Sequence, residues 1–272
     1  MSFSLWCYVR LRIVKSFGWD DGLMVAAMII LVAYTATTIG GAVVGTGRKM
    51  GDLTSQELNL RLARLFWWLG QDFYVTACVL AKASICICLW RITINQVHRM
   101  FLCLVLAFSI LAGLVFFFFT TFQCHPVSHY WNTTIADEKC LKAATIIKVT
   151  YAYSAVAATS DFAIGLLPVF IVWNLQMAKA RKYGLIGLFG IACVASFAVI
   201  IRIPYLQAPS RSEPLYAAGY IIIWSYVEVS AGIIAGSVVT LRALGRVLPG
   251  RCPDWIRSPE FQDLTSRSSP QV

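Results

Sequence analysis

Five ionisable residues stand inside long apolar runs of this chain: Asp72, Lys82, Asp161, Arg202 and Glu228. Burying a charged side chain in lipid costs ~2.5–3.5 kcal/mol on insertion scales, so such residues face a protein interior or a wet cavity. Gathered there, carboxylates and cations can clamp helices together, relay protons or hold a ligand. Asp161 is the clearest case, because it is the sole ionisable residue between Val149 and Trp173 and lies near the middle of that run. The run can cross a bilayer, which takes ~20 residues at ~1.5 Å each. Lys82 and Asp72 share a run but lie roughly 15 Å apart along a helix axis, so Lys82 needs a partner from another span. Asp72 lies about two turns from a helix end, where a wet mouth would hydrate it. Arg202 is near the end of its run, where a long cationic chain can snorkel to the interface. Lys82, Asp161 and Glu228 are then the deep residues. One cation against two carboxylates leaves them a formal charge short, which calls for a protonated acid or water-filled space. An interhelical clamp and a functional polar network both fit these five residues.

The elements that position them follow from composition. Of 272 residues, 58% are apolar and only 13% charged, against ~25% charged in a soluble domain. The expected fold is all-α, a polytopic transmembrane helix bundle with spans at about residues 22–45, 65–90, 100–122, 147–173, 184–206 and 215–241. Backbone polar groups in lipid must be bonded within the segment, which selects helices. Pro168 can kink the fourth. The expected organisation is a cytosolic N-terminal segment 1–21, a transmembrane domain 22–244 and a disordered cytosolic tail 245–272. Asp20 and Asp21 suit the first turn of the first helix, and Gly45-Thr46-Gly47 reads as its stop.

The net charge of +10 does not point to nucleic acid, because the basic residues are interleaved with apolar runs. They follow the inside bias of membrane proteins. With both termini in the cytosol, 13 Lys and Arg lie in the inner segments and 8 in the outer ones. That orientation puts the polar loop 123–146 outside, where a Cys124–Cys140 bridge can form. The loop also carries a glycosylation sequon at Asn132. The remaining cysteines in apolar runs read as buried thiols.

Trp67, Trp68, Trp90, Trp131 and Trp173 fall near span ends and suit interfacial belts. Trp224 and Tyr226, close in sequence to Glu228, are pocket candidates. His98, His125 and His129 do not form a metal-ligand pattern, and no phosphate loop, nucleophile elbow or HExxH helix occurs. No enzyme is expected. The sixth run has no lysine, so a retinal Schiff base of the light-sensing kind has no attachment point there, and Lys82 is a poor substitute.

The order Gly18-Trp19-Asp20-Asp21, Gly45-Thr46-Gly47, Lys82-Ala83-Ser84, Cys124-His125-Pro126 with Trp131, Asp161 with Leu167-Pro168 and Trp173, Arg202, then Trp224 with Glu228 resembles the fungal rhodopsin-like integral membrane domain family. The likeness covers about residues 8–244. It implies a seven-span, receptor-like architecture without retinal, of which this chain carries six spans and lacks the first. Two positions depart from the family pattern. Arg48-Lys49 follow Gly47 where a histidine is usual, and Ser237-Val238-Val239 stand where the last span often has a proline. The expected function is a non-enzymatic, receptor-like multi-pass membrane protein. An unknown small ligand would enter from the outer face, and a cytosolic signalling partner would meet the inner basic loops. The alternatives are a small-molecule or proton-coupled transporter and an accessory membrane scaffold for other enzymes.

Overall fold

The computed structural model describes residues 19–47, 57–93, 95–132, 139–173, 179–202 and 214–247. Most of the expected N-terminal segment and the whole expected tail beyond residue 247 lie outside these residues. Six long helices account for nearly all of the rest: α1 (Trp19–Val44), α2 (Glu57–Ile92), α3 (Gln96–Thr121), α4 (Ala143–Trp173), α5 (Lys179–Arg202) and α6 (Pro214–Val247). Each coincides with one of the expected spans, and the architecture is an all-α bundle. Among the described residues, four helices (α1, α2, α3 and α6) are long and apolar enough to cross a membrane. The apolar part of α5 that is described, Phe189–Arg202, is shorter.

The helices outrun the apolar segments that mark them. At 36 residues, α2 is ~54 Å long, against a hydrocarbon core of ~30 Å. Its first turns carry Glu57, Asn59, Arg61 and Arg64, which hydropathy alone leaves out of a span. Asp20 and Asp21 open α1. That helix ends where Gly45 and Gly47 take positive φ of 117° and 94°, a conformation that favours glycine. The Gly45 and Thr46 N–H groups donate to Gly41 O at 3.0 and 2.8 Å, closing the end as a glycine C-cap does. Asn95 caps α3, its side chain accepting from Val97 N–H. The backbone of α4 stays helical through Pro168.

Central position falls to α2, which packs against α1, α3 and α6, while α4 packs on α3 and α5, and α5 on α6. In its membrane window 67% of residues are buried, against 22% for α1 and α3. The reason is composition: the stretch 77–89 is rich in Ala, Cys and Ser, whose small side chains let neighbouring backbones approach. Elsewhere Gly165 of α4 lies directly against Ala192 of α5, leaving no room for a Cβ. The outward faces carry large apolar side chains such as Val32, Val43, Phe108 and Phe197, which suits lipid as the surrounding solvent.

Between α3 and α4 the loop is pinned. β1 (Cys124–His125) and β2 (Lys139–Cys140) pair antiparallel, with Cys124 opposite Cys140. A disulfide joins those two cysteines.

Candidate functional site

The five intramembrane ionisable residues do not form one cluster. Asp72 stands apart, near the disulfide end of the bundle. There its Oδ1 accepts from the Thr121 and Thr120 hydroxyls at 3.1 and 3.4 Å, at the close of α3. The other four make two ion pairs along the bundle axis.

The pair nearer the disulfide end is Arg202 with Glu228. Arg202 is 3% exposed. Its Nη1 donates to Tyr74 Oη and to Ser225 Oγ, both at 2.8 Å, and its Nη2 donates to Ser154 Oγ at 3.1 Å. The Tyr74 hydroxyl in turn donates to Glu228 Oε2 at 2.7 Å. The direct Nη1–Oε2 distance is 3.7 Å. One guanidinium thus ties α5 to α2, α4 and α6. The snorkelling expected of Arg202 is corrected here. Three helices supply polar partners at its depth, so the side chain turns inward instead of climbing to the interface. The charge balance changes with it. Two cations now face two carboxylates, and the deep residues carry no formal deficit.

The second pair lies about two turns further along α2. Lys82 Nζ sits 3.1 Å from Asp161 Oδ1 and donates to Ser160 Oγ at 2.9 Å and to Ala157 O at 3.1 Å. All three acceptors come from one stretch of α4, so this pair joins α2 to α4. Asp161 Oδ2 is buried and has no hydrogen-bond partner among the described residues. Among the described residues Glu228 Oε1 takes the long 3.9 Å contact from Cys78 Sγ.

Both carboxylates, Lys82 and Cys78 line a cavity of about 50 Å³, counted as room for the centres of water-sized molecules. The rest of its wall is apolar: Ile85 and Leu89 of α2, Ile164 of α4, Ile191 of α5 and Val229 of α6 among others. It continues away from the disulfide end. On the disulfide side a layer of buried rings separates it from the loop. Tyr34 and Tyr74 lie 6.3 Å apart, Tyr74 meets Tyr153 edge-on at 6.2 Å, and Phe116 stacks on Tyr153 at 4.6 Å. The route from the outer face expected for a ligand is therefore filled by side chains. Sequence reasoning missed Tyr74, although it is a polar-tipped ring in an apolar run.

Trp224 and Tyr226 do not line the cavity. Tyr226 is 39% exposed and stacks on Tyr34 at 6.4 Å. Two residues along a helix turn ~200° about its axis, so a side chain at 226 faces away from Glu228. Trp224 shares the side of Glu228 but sits one turn nearer the disulfide end, beyond the cavity.

The loop is built for rigidity. His129 is buried, and Trp131 meets Trp68 of α2 at 5.3 Å. Burial pushes the Tyr130 phenol up to about 12, opposed by the Arg64 cation and a hydrogen bond with Gln123. Asn132 follows this turn, its N–H donating to Ser128 O at 3.0 Å. The remaining sequon residues lie outside the described residues.

Comparison with known proteins agrees with this architecture. The model of the fungal rhodopsin domain matches residues 5–247. The chain is 25% identical to a SAT4 family membrane protein of Emericella nidulans, over 97% of this chain and 64% of that protein. It is 23% identical to wortmanamides biosynthesis cluster protein C of Talaromyces wortmannii, over 84% of this chain and 61% of that one. A third relative, fugralins biosynthesis cluster protein 2 of Gibberella zeae, is 26% identical over 40% of this chain and 27% of its own length. The chain thus spans less than two thirds of the length of each of these relatives. No solved structure matches it. A multi-pass helical bundle in a lipid bilayer, matched by the family model over nearly its whole length, belongs to the fungal rhodopsin domain family.

Proposed function

We propose that this chain is a receptor-like membrane protein without an enzymatic activity of its own, in which the Lys82–Asp161 pair is the ligand-sensitive switch. One observation carries the reading. That pair bridges two helices at the wall of a cavity and leaves a carboxylate oxygen, Asp161 Oδ2, without a hydrogen-bond partner among the described residues. Buried polar groups are normally satisfied, so a group able to bond there would change the balance of the pair. The ligand reaches the cavity from the end away from the disulfide loop. No retinal takes part: Lys82, the lysine at this depth, already holds three acceptors. Relatives named for the biosynthesis of fugralins and wortmanamides make a small product of such a cluster the ligand to try first. The cytosolic partner would meet the basic segments at the opposite end from the disulfide loop.

The test uses the full chain in lipid nanodiscs with a pair of spin labels on the lipid-facing sides of α2 and α4. Asp161→Asn should shift the distance distribution between them in the absence of any added molecule. An unchanged distribution removes Asp161 from the mechanism. A second reading, a carrier, rests on the same two carboxylates at one cavity. Solute flux in liposomes that disappears in Glu228→Gln would replace the receptor reading with it. Co-purification with an enzyme, with neither ligand nor flux, would point to a scaffold.

A further inference from the structure

The cavity has a chemistry that narrows what it can accept. Lys82, Asp161 and Glu228 line it, and Arg202, which pairs with Glu228 from outside the lining, brings the four ionised groups to formal neutrality. An ion added to the cavity would stand uncompensated in a low-dielectric interior and bind more weakly than a neutral molecule. Of the two carboxylates on the wall, Asp161 has an unsatisfied acceptor, Oδ2, and Glu228 Oε1 takes a long 3.9 Å contact from Cys78 Sγ, so the site calls for a donor. The shape adds a third limit. On α2 the wall runs from Cys78 to Leu89, ~16 Å of helix at 1.5 Å per residue. A volume of about 50 Å³ spread along that length is narrow, whereas drug-sized ligands take ~300 Å³ or more. Beyond the carboxylates the lining is aliphatic.

We infer that the cavity binds a neutral, slender aliphatic molecule with a hydrogen-bond donor at its tip, a primary alcohol or primary amide, the donor resting on Asp161 Oδ2 and the chain lying along Ile85, Leu89 and Ile164. This rests on the receptor-like reading above and names the class of its ligand. Carboxylates and amines of the same length are excluded by charge, and bulky rings by width.

The charge argument makes a sharper demand. Replacing Asp161 by Asn keeps the shape but leaves the two ion pairs with one cation in excess, so the site should then prefer an anion. Gly232 offers a separate control. It lines the cavity, and a Cβ added there meets nothing within 4 Å. Gly232→Leu therefore fills the space without touching the charges, and leucine is the better helix former.

The experiment measures binding of 1-hexanol, hexanoate and hexylammonium to the full chain in nanodiscs, at matched bilayer concentrations, by competition with a diazirine-bearing 1-hexanol for photolabelling of α4 and α6. The wild type should favour 1-hexanol over either ion at least about tenfold, the size expected when a buried charge lacks a counter-charge. Labelling should fall about tenfold in Gly232→Leu, and Asp161→Asn should reverse the order in favour of hexanoate. Equal competition by all three probes, or labelling untouched by Gly232→Leu, would mean partition into the bilayer only and would overturn the inference. The spin-label shift in Asp161→Asn needs no probe, so the switch can survive if the ligand class fails.

Discussion

Arg202 and Lys82 are both cations buried in the same bundle, each paired with a carboxylate, and they are held in opposite ways. Arg202 spreads its hydrogen bonds over Tyr74, Ser225 and Ser154, on three helices, and its carboxylate partner is bonded again by Tyr74. Lys82 takes its acceptors from α4 alone, and its partner keeps one oxygen unbonded beside a cavity. A planar guanidinium with five donors suits the first task and a compact ammonium the second. The contrast separates the two roles that intramembrane charges can serve. The Arg202 pair is the clamp, locked between rings and hydroxyls. The Lys82 pair has a cavity beside it and an unsatisfied acceptor on that cavity's wall, which is what a switch needs.

The largest effect tests the clamp. Arg202→Met should destabilise the reconstituted protein by about 3–5 kcal/mol, because it strands Glu228 without its cation. Thermal unfolding in nanodiscs reads this, and the double variant with Glu228→Gln should recover part of the loss. No recovery would mean that the two side chains are not coupled. Tyr74→Phe removes the hydroxyl that bridges them and should cost about 1–3 kcal/mol, the usual range when buried groups lose their partners. A loss under the error of the measurement would break the idea of a hydroxyl-mediated clamp. Asp161→Asn should cost less, about 1–2 kcal/mol, since Lys82 keeps Ser160 and Ala157 and the cavity can hydrate it. If Asp161→Asn instead matched Arg202→Met, the two pairs would be equivalent and the distinction would fall. The smallest change is expected at Asp72. Asp72→Asn retains an acceptor for the Thr120 and Thr121 hydroxyls outside both pairs, and its effect should stay within about 1 kcal/mol. A double cycle of Asp72→Asn with Arg202→Met should be additive, as for distant sites.

How far the site could be read from the sequence depends on direction along or around a helix. Asp161 and Lys82 were legible because a charge in an apolar run has few tolerable orientations, and Lys82 had no partner within reach on its own helix. The Cys124–Cys140 bridge was legible from two cysteines sharing one polar loop. Arg202 was misread because its depth was judged from its place in one run. Burial there is set by Tyr74, Ser154 and Ser225, which come from other helices. Trp224 and Tyr226 were linked to Glu228 through sequence proximity, and helical rotation carries Tyr226 to the opposite side. The ring layer draws Tyr34, Tyr74, Phe116 and Tyr153 from four helices, so no local pattern announces it.

Apolar length and the scarcity of charge were enough, by themselves, to specify a bundle of membrane-crossing helices, because lipid leaves the backbone no other way to bond its polar groups. Which cation meets which carboxylate, and where a cavity remains between them, was decided by tertiary packing. Those outcomes depend on the rotation of each helix and on small residues such as Gly165 and Ala192 that set how closely two helices approach, and neither quantity is written in any one segment.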